Sequence, residues 1–209
     1  MDRKTKTGFS EAPDLTVVQT DATDGRHRRT QRSREKIIAA MFRLISDDDP
    51  YPSVVAIANE AGVSKRTAFR LFSDLDSLIM EMSQQLKDEL RPVIYAPYES
   101  NTWRGKLGEL VDRRAIVFEK IMILKQSADI RRFRSKFLMS DYTNFVEREK
   151  ATLLELLPTR IKRSKSVTAA LMAALSFQTW TQLRLQQGLS PRQARAAMHT
   201  AMEAMVGGF

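Results

Sequence analysis

The chain has 209 residues, 43% of them hydrophobic, which is enough to bury a real core as one large domain or as a small one joined to a larger. With no cysteine, no apolar core of a signal peptide in MDRKTKTGFSEAPDL and no run of about 18 apolar residues, the sequence excludes disulfides and thiolate chemistry and predicts a cytoplasmic protein outside the membrane. The formal net charge of +9 invites a polyanion, yet residues 26–78 hold ten basic against seven acidic side chains and residues 79–209 hold 21 against 13, so bulk charge does not locate the contact.

Only 8 Gly and 7 Pro occur, and no segment alternates apolar and polar residues with period two, so an all-α fold is expected. Residues 1–29 carry few large apolar side chains and read as a flexible N-terminal arm. Arg28 and Arg29 at its end, with Arg34 just beyond, are placed to lie along phosphates or enter a minor groove; a solubilising tail is the alternative. A first helix is predicted from Ser33 to Ile45, with Ile37, Ala40, Met41, Leu44 and Ile45 on one face and Asp47, Asp48, Asp49 and Pro50 ending it. Ser53 caps a short second helix that buries Val54, Ile57, Ala58 and Ala61, Gly62 ends it, and Ser64 caps a third helix reaching Phe72.

Two helices joined by a three-residue turn containing Gly form a unit in which one helix crosses a DNA backbone while the next enters the major groove. At 100° per residue, Ala68, Leu71 and Phe72 fall on an inward face of the third helix, and Lys65, Arg66, Phe69 and Arg70 share an arc of roughly 140° opposite. Charged helical positions are usually a solvated face. Phe69 argues for more, because an exposed aromatic among three cations gains nothing in a monomer but can cover a sugar or a thymine methyl while its neighbours engage phosphates and guanine edges.

The string SVVAIANEAGVSKRTAFRLFSDLDSLI, Ser53 to Ile79, resembles the DNA-binding segment of the tetracycline-repressor (TetR) family, through Ile57-Ala58, Ala61-Gly62-Val63-Ser64, Thr67, Phe69, Phe72 and Leu78. The resemblance implies a helix-turn-helix domain over residues 30–78, a ligand-binding and dimerisation domain over 79–209, and a homodimer on a palindromic operator, most simply a repressor, with DNA affinity set by a small effector. It also implies phosphate contacts from Ser53, Ser64, Thr67 and Phe69, and base or phosphate contacts from Lys65, Arg66 and Arg70. Arg66 stands where the family usually has Gly, Phe69 where it has Tyr, and Leu75 where it often has Lys.

Ser73 and Asp76 form a capping-box pattern for a fourth helix with Leu75, Leu78, Ile79, Met82, Leu86, Leu90 and Val93 in its stripe. Residues 97–102 break the chain, a helix starts near Trp103, and another runs from about Arg132 to Leu157, stopped by Pro158. Met82, Leu86, Trp103, Phe118, Met122, Phe137, Tyr142 and Trp180 are the candidate lining of an effector pocket, although any one of them also suits a plain core. Residues 167–180 are apolar almost all round and read as one helix that needs cover on two sides. Ser190, Pro191 and Gln193 announce a last helix. Leu171, Leu175, Ala194, Ala197, Met198, Ala201 and Met205 are therefore the candidate dimer interface, closing a four-helix bundle with a second chain.

An enzyme is not expected: two histidines, no phosphate-cradling Gly motif and no clustered metal ligands leave no reaction centre, and no cofactor is implied. The rival reading is an architectural helix-turn-helix protein that binds DNA without an effector.

Overall fold

A computed structural model describes residues 20–46, 49–50 and 52–208, with side chains from residue 25 on. These residues form an all-α fold with no strand among them. Residues 1–19 of the expected arm lie outside the described residues. The rest of that arm is corrected: α1 spans Thr20–Ser46, so Arg28 and Arg29 are helical, and the helix starts well before Ser33.

α2 (Val54–Glu60) and α3 (Lys65–Leu71) begin as expected, Ser53 accepting from the Ala56 N–H and Ser64 from the Thr67 N–H, each at 3.1 Å. Between them Gly62 sits at φ 63°, its N–H donating to the Asn59 carbonyl while that of Val63 donates to Ala58, which closes the last turn of α2. No atom crowds the place of a Cβ at Gly62, so Gly62→Ala is expected to cost only the left-handed backbone penalty, about 1 kcal/mol. In a thermal melt this reads as a midpoint roughly 2–4 °C lower, and an unchanged midpoint would contradict it.

α4 (Leu75–Ile94) is capped one residue away from the expected position. Asp74, not Ser73, accepts from the Ser77 N–H at 2.7 Å, and Ser77 Oγ accepts in return from the Asp74 N–H. A carboxylate at the N-cap combines that bond with a favourable charge at the positive helix end, which a serine lacks. α5 (Trp103–Arg131) extends for 29 residues, about 43 Å at 1.5 Å per residue. A 3₁₀ turn (Arg132–Arg134) separates it from α6 (Lys136–Leu156), and a short α7 (Thr159–Arg163) follows Pro158.

The single helix expected over residues 167–180 is two, α8 (Lys165–Ala174) and α9 (Phe177–Thr181). Ser176 Oγ and Thr179 Oγ1 both donate to the Ala173 carbonyl, at 2.8 and 2.6 Å, and Ser176 caps α9, so side chains take the place of the continuing backbone ladder. A π-helical turn (Gln182–Gln186) leads to α10 (Pro191–Val206), whose Ser190–Gln193 capping box forms as expected.

Two hydrophobic cores result. The first joins α1, α2, α3 and the front of α4, from Ile37 and Met41 through Ile57, Ala68 and Phe72 to Ile79, Met82 and Leu86, with Leu124 of α5 and Leu138 of α6 closing it. The second gathers Leu107 to Met122 of α5 with Leu153, Ile161, Leu171, Trp180, Met198 and Val206. α5 is thus common to both. α4 belongs with the first core as far as Leu86, beyond the boundary expected at residue 78. The fold also corrects part of the expected interface: Leu171, Leu175, Ala194 and Met198 are buried within one protomer, because α10 packs on α5 and α8 and supplies the cover assigned to a second chain. Ala197, Ala201 and Met205 stay half-buried along the flank of α10.

Candidate functional site

α3 turns Ala68 into the first core and leaves Lys65, Arg66, Phe69 and Arg70 exposed, Phe69 at 53% of its surface. Ser64 Oγ lies 2.9 Å from Thr67 Oγ1, which holds both hydroxyls at the turn that presents this face, with Ser53 exposed at the start of α2. The expected reading face is thereby assembled on one helix: three cations around one aromatic, supported from behind by Ala68, Phe72 and Ile57.

The basic residues upstream divide. Arg28 and Arg29 are exposed on α1, Arg29 donating to the Gly25 carbonyl within the helix. Arg34 is corrected from a DNA contact to an internal tie. Its Nη2 pairs with Glu81 of α4, its Nε reaches the same carboxylate at 3.2 Å, and its guanidinium stands 4.9 Å over the Phe72 ring. A guanidinium held by a bidentate carboxylate and an aromatic face has little left to offer a phosphate. It fastens α1 to α4 behind the reading helix.

The second part of the site is a cavity of about 380 Å³ between α4, α5 and α6, within the size range of small-molecule sites. Its apolar walls are Leu86, Leu90, Leu110, Val117, Phe118, Ile121, Leu124 and Phe145. Of the eight residues expected to line a pocket, only Leu86 and Phe118 do so. Met82 and Trp180 are fully buried in the two cores, Met122 packs in the second, Trp103 lies at its edge, Tyr142 stacks under the Lys125 ammonium and the Arg132 guanidinium, and Phe137 is largely exposed. Size and softness marked these side chains in the sequence, but helix rotation decides which of them meets empty space.

What the sequence reading missed is polar. Arg113 donates to the Ile94 and Ala96 carbonyls at 3.0 and 2.8 Å and faces the Tyr98 ring at 4.4 Å. Arg114 is buried, donating to the Leu175 carbonyl at 2.7 Å, to the Glu149 carbonyl, and to Thr152 Oγ1 at 3.2 Å. A signal existed: Arg114 occupies the buried register of α5, four residues from both Leu110 and Phe118, where an apolar side chain is the rule. The Glu149 carboxyl, accepting from the Phe177 N–H at 3.0 Å, is pushed up to about 7 by burial, against the opposing pull of Arg114 and Lys125. Lys87–Asp141, at 2.9 Å, and Lys125–Asp129, at 2.5 Å, are closed ion pairs at the other end.

The cavity shares α4 and α5 with the first core. The front of α4 lies in the first core and its rear forms a cavity wall. Arg131 of α5 pairs with Asp76 in the first turn of α4 at 3.3 Å, and Ser127 Oγ donates to the Pro50 carbonyl at 3.0 Å.

No family model and no curated protein matches the sequence. Among solved structures the chain is similar to a crystal structure from Rhodococcus sp. assigned to the TetR family of transcriptional regulators, with a TM-score of 0.61 and 13% identity over 83% of this chain and 98% of that one. Identity that low speaks to architecture alone, and the conclusion it supports is that this chain has the all-helical, TetR-like fold.

Proposed function

We propose that the protein is a DNA-binding transcriptional regulator, a repressor that holds a palindromic operator as a homodimer and changes its grip when a small effector enters the C-terminal cavity. The observation that carries this reading is the outward face of α3, where Lys65, Arg66 and Arg70 surround an exposed Phe69 while Ala68 packs inward. Arg66 and Arg70 suit guanine edges, Lys65 suits phosphate, and Phe69 suits a sugar or a thymine methyl. Ser53, Ser64 and Thr67 supply hydroxyls at the backbone, and Arg28 and Arg29 extend the basic surface along α1. Two such heads must sit about 34–36 Å apart to meet successive major grooves, so a small pivot of α4 is enough to break the match.

The cavity favours a ligand-responsive regulator over an architectural protein, since an effector-independent DNA binder has no use for an apolar chamber wired to its reading head. Selection from a pool of short random duplexes, followed by competition, separates the two. A regulator enriches one palindrome and keeps it in excess random DNA; loss of all binding to random competitor would establish the architectural reading instead.

The dimer is assigned to the flank of α10 where Ala197, Ala201 and Met205 remain half-buried beside α8. Ala197→Glu is expected to give monomers that bind the palindrome poorly, because a charge placed against its own symmetry mate is desolvated without a partner. An intact dimer by light scattering would move the interface elsewhere.

A further inference from the structure

We infer that the cavity accepts an amphipathic acid, a molecule with an apolar chain or ring body and one anionic head, oriented with the head at the Arg113–Arg114–Arg148 end. The assignment rests on the reading of the protein as a ligand-responsive DNA-binding regulator and names the chemical class of its effector.

The argument is one of charge balance along the cavity. At one end Lys87 pairs with Asp141, and Lys125 pairs with Asp129, which Arg132 shares from outside the cavity lining. Eleven and twelve residues from Lys125 along α5, about 16–18 Å, stand Arg114 and Arg113, and Arg148 of α6 also lines the cavity. The partners of Arg113 and Arg114 are backbone carbonyls and a hydroxyl, which satisfy N–H groups without cancelling charge. Glu109 and Glu155 also stand near Tyr98 but do not line the cavity; of the lining residues at this end Glu149 is the carboxylate, and burial keeps part of it protonated near neutrality. The cavity wall at this end therefore carries more cations than anions, which favours an incoming anion. Between the two ends the walls are Leu90, Val117, Phe118 and Ile121, which suit a hydrocarbon body.

Glu149 makes binding sensitive to pH. Glu149 accepts from the Phe177 N–H of α9 and feels the charges of Arg114 and Lys125 of α5, while Tyr98, Arg113 of α5, Arg148 and Asp141 of α6 and Lys87 of α4 line the same cavity. An anionic head placed beside Glu149 disfavours its charged form, so binding draws in a proton and weakens as the pH rises through about 7.

The test is calorimetric titration of the full-length protein with four probes sharing one chain, below their micelle concentrations: decanoate, decyl sulfonate, decyltrimethylammonium and decanol. The two anions are expected to bind at least about tenfold tighter than the cation and the alcohol. Decyl sulfonate, whose own charge is constant, is expected to bind about fivefold tighter near pH 6 than near pH 8, a difference lost in Glu149→Gln. Val117→Trp, which fills the cavity, is expected to abolish binding in a protein of unchanged helicity, and Arg148→Gln, at an exposed rim position, to weaken the anions alone. Equal or tighter binding of the cation or the alcohol, anion binding that survives Val117→Trp, or no binding of any probe overturns the assignment. Duplex selection in parallel keeps the two readings apart: a selected palindrome without anion binding sinks the ligand class alone, and anion binding without a palindrome sinks the regulator reading alone.

Discussion

Arg70→Ala is expected to weaken operator binding by about 1–3 kcal/mol, roughly five- to 150-fold at constant salt, with no change in thermal unfolding. The side chain is exposed on α3 and touches neither core, so its removal leaves packing alone and takes away only what it offers to a partner. Phe69→Ala is the companion variant. With 53% of its surface exposed, Phe69 adds little to the fold, and its truncation is expected to lower affinity through lost contact with the groove. Both variants should stay dimeric, and the salt dependence of binding should change less in Phe69→Ala than in Arg70→Ala, since only the latter removes a cation. Fluorescence anisotropy on the selected palindrome at several salt concentrations measures all of this. Unchanged affinity in both variants would take α3 out of the interface.

Arg114→Met is expected to destabilise the protein by about 3–5 kcal/mol, which for a chain of this size lowers the thermal midpoint by roughly 6–20 °C. Methionine fills much of the same volume, so the loss is not one of packing. It leaves the Leu175 and Glu149 carbonyls without their guanidinium donor and removes the positive charge that offsets the buried Glu149 carboxylate. The pH profile identifies that carboxylate. Its folded value of about 7 lies above the ordinary 4.5, so the native state retains a proton the unfolded chain has released, and stability falls as the pH rises from about 4.5 to about 7. The gap corresponds to roughly 3 kcal/mol. In Arg114→Met the decline should extend to higher pH, because the opposing pull of the guanidinium is gone. Denaturant melts across this range check both statements, and a variant as stable as the parent would mean that Arg114 is dispensable to the α5–α6 packing.

The reading head was legible because its information is local. Ser53, Gly62 and Ser64 each act on backbone groups within three or four residues, and a cap or a left-handed turn needs no distant partner. The face of α3 follows from helical geometry alone once the inward positions Ala68 and Phe72 are recognised. The break at Ser176 was harder, since it depends on polar side chains that the apolar stripe does not register.

Arg34 and the cavity show where local reasoning stops. In the sequence Arg34 is one more cation in a basic run; in space Glu81, forty-seven residues later, claims it. Met82, Trp103, Trp180 and Phe137 have the volume and softness of pocket residues, yet a lining position is a property of the gap between helices, set by how each helix is rotated against its neighbours. The chamber is instead distinguished by Arg113 and Arg114, held by carbonyls of α4, α6 and the end of α8, and by Glu149, which accepts from the Phe177 N–H of α9.

The amino-acid order by itself determined that the chain is helical, where the reading turn lies and which side of α3 faces outward, because periodicity and capping are short-range effects written into neighbouring residues. The tertiary structure alone decided which cations lie exposed, which apolar faces the chain itself covers, and where empty space remains beside buried charge. Those outcomes depend on contacts between residues far apart in the chain, and their energies are set by burial and partner geometry that no local pattern encodes.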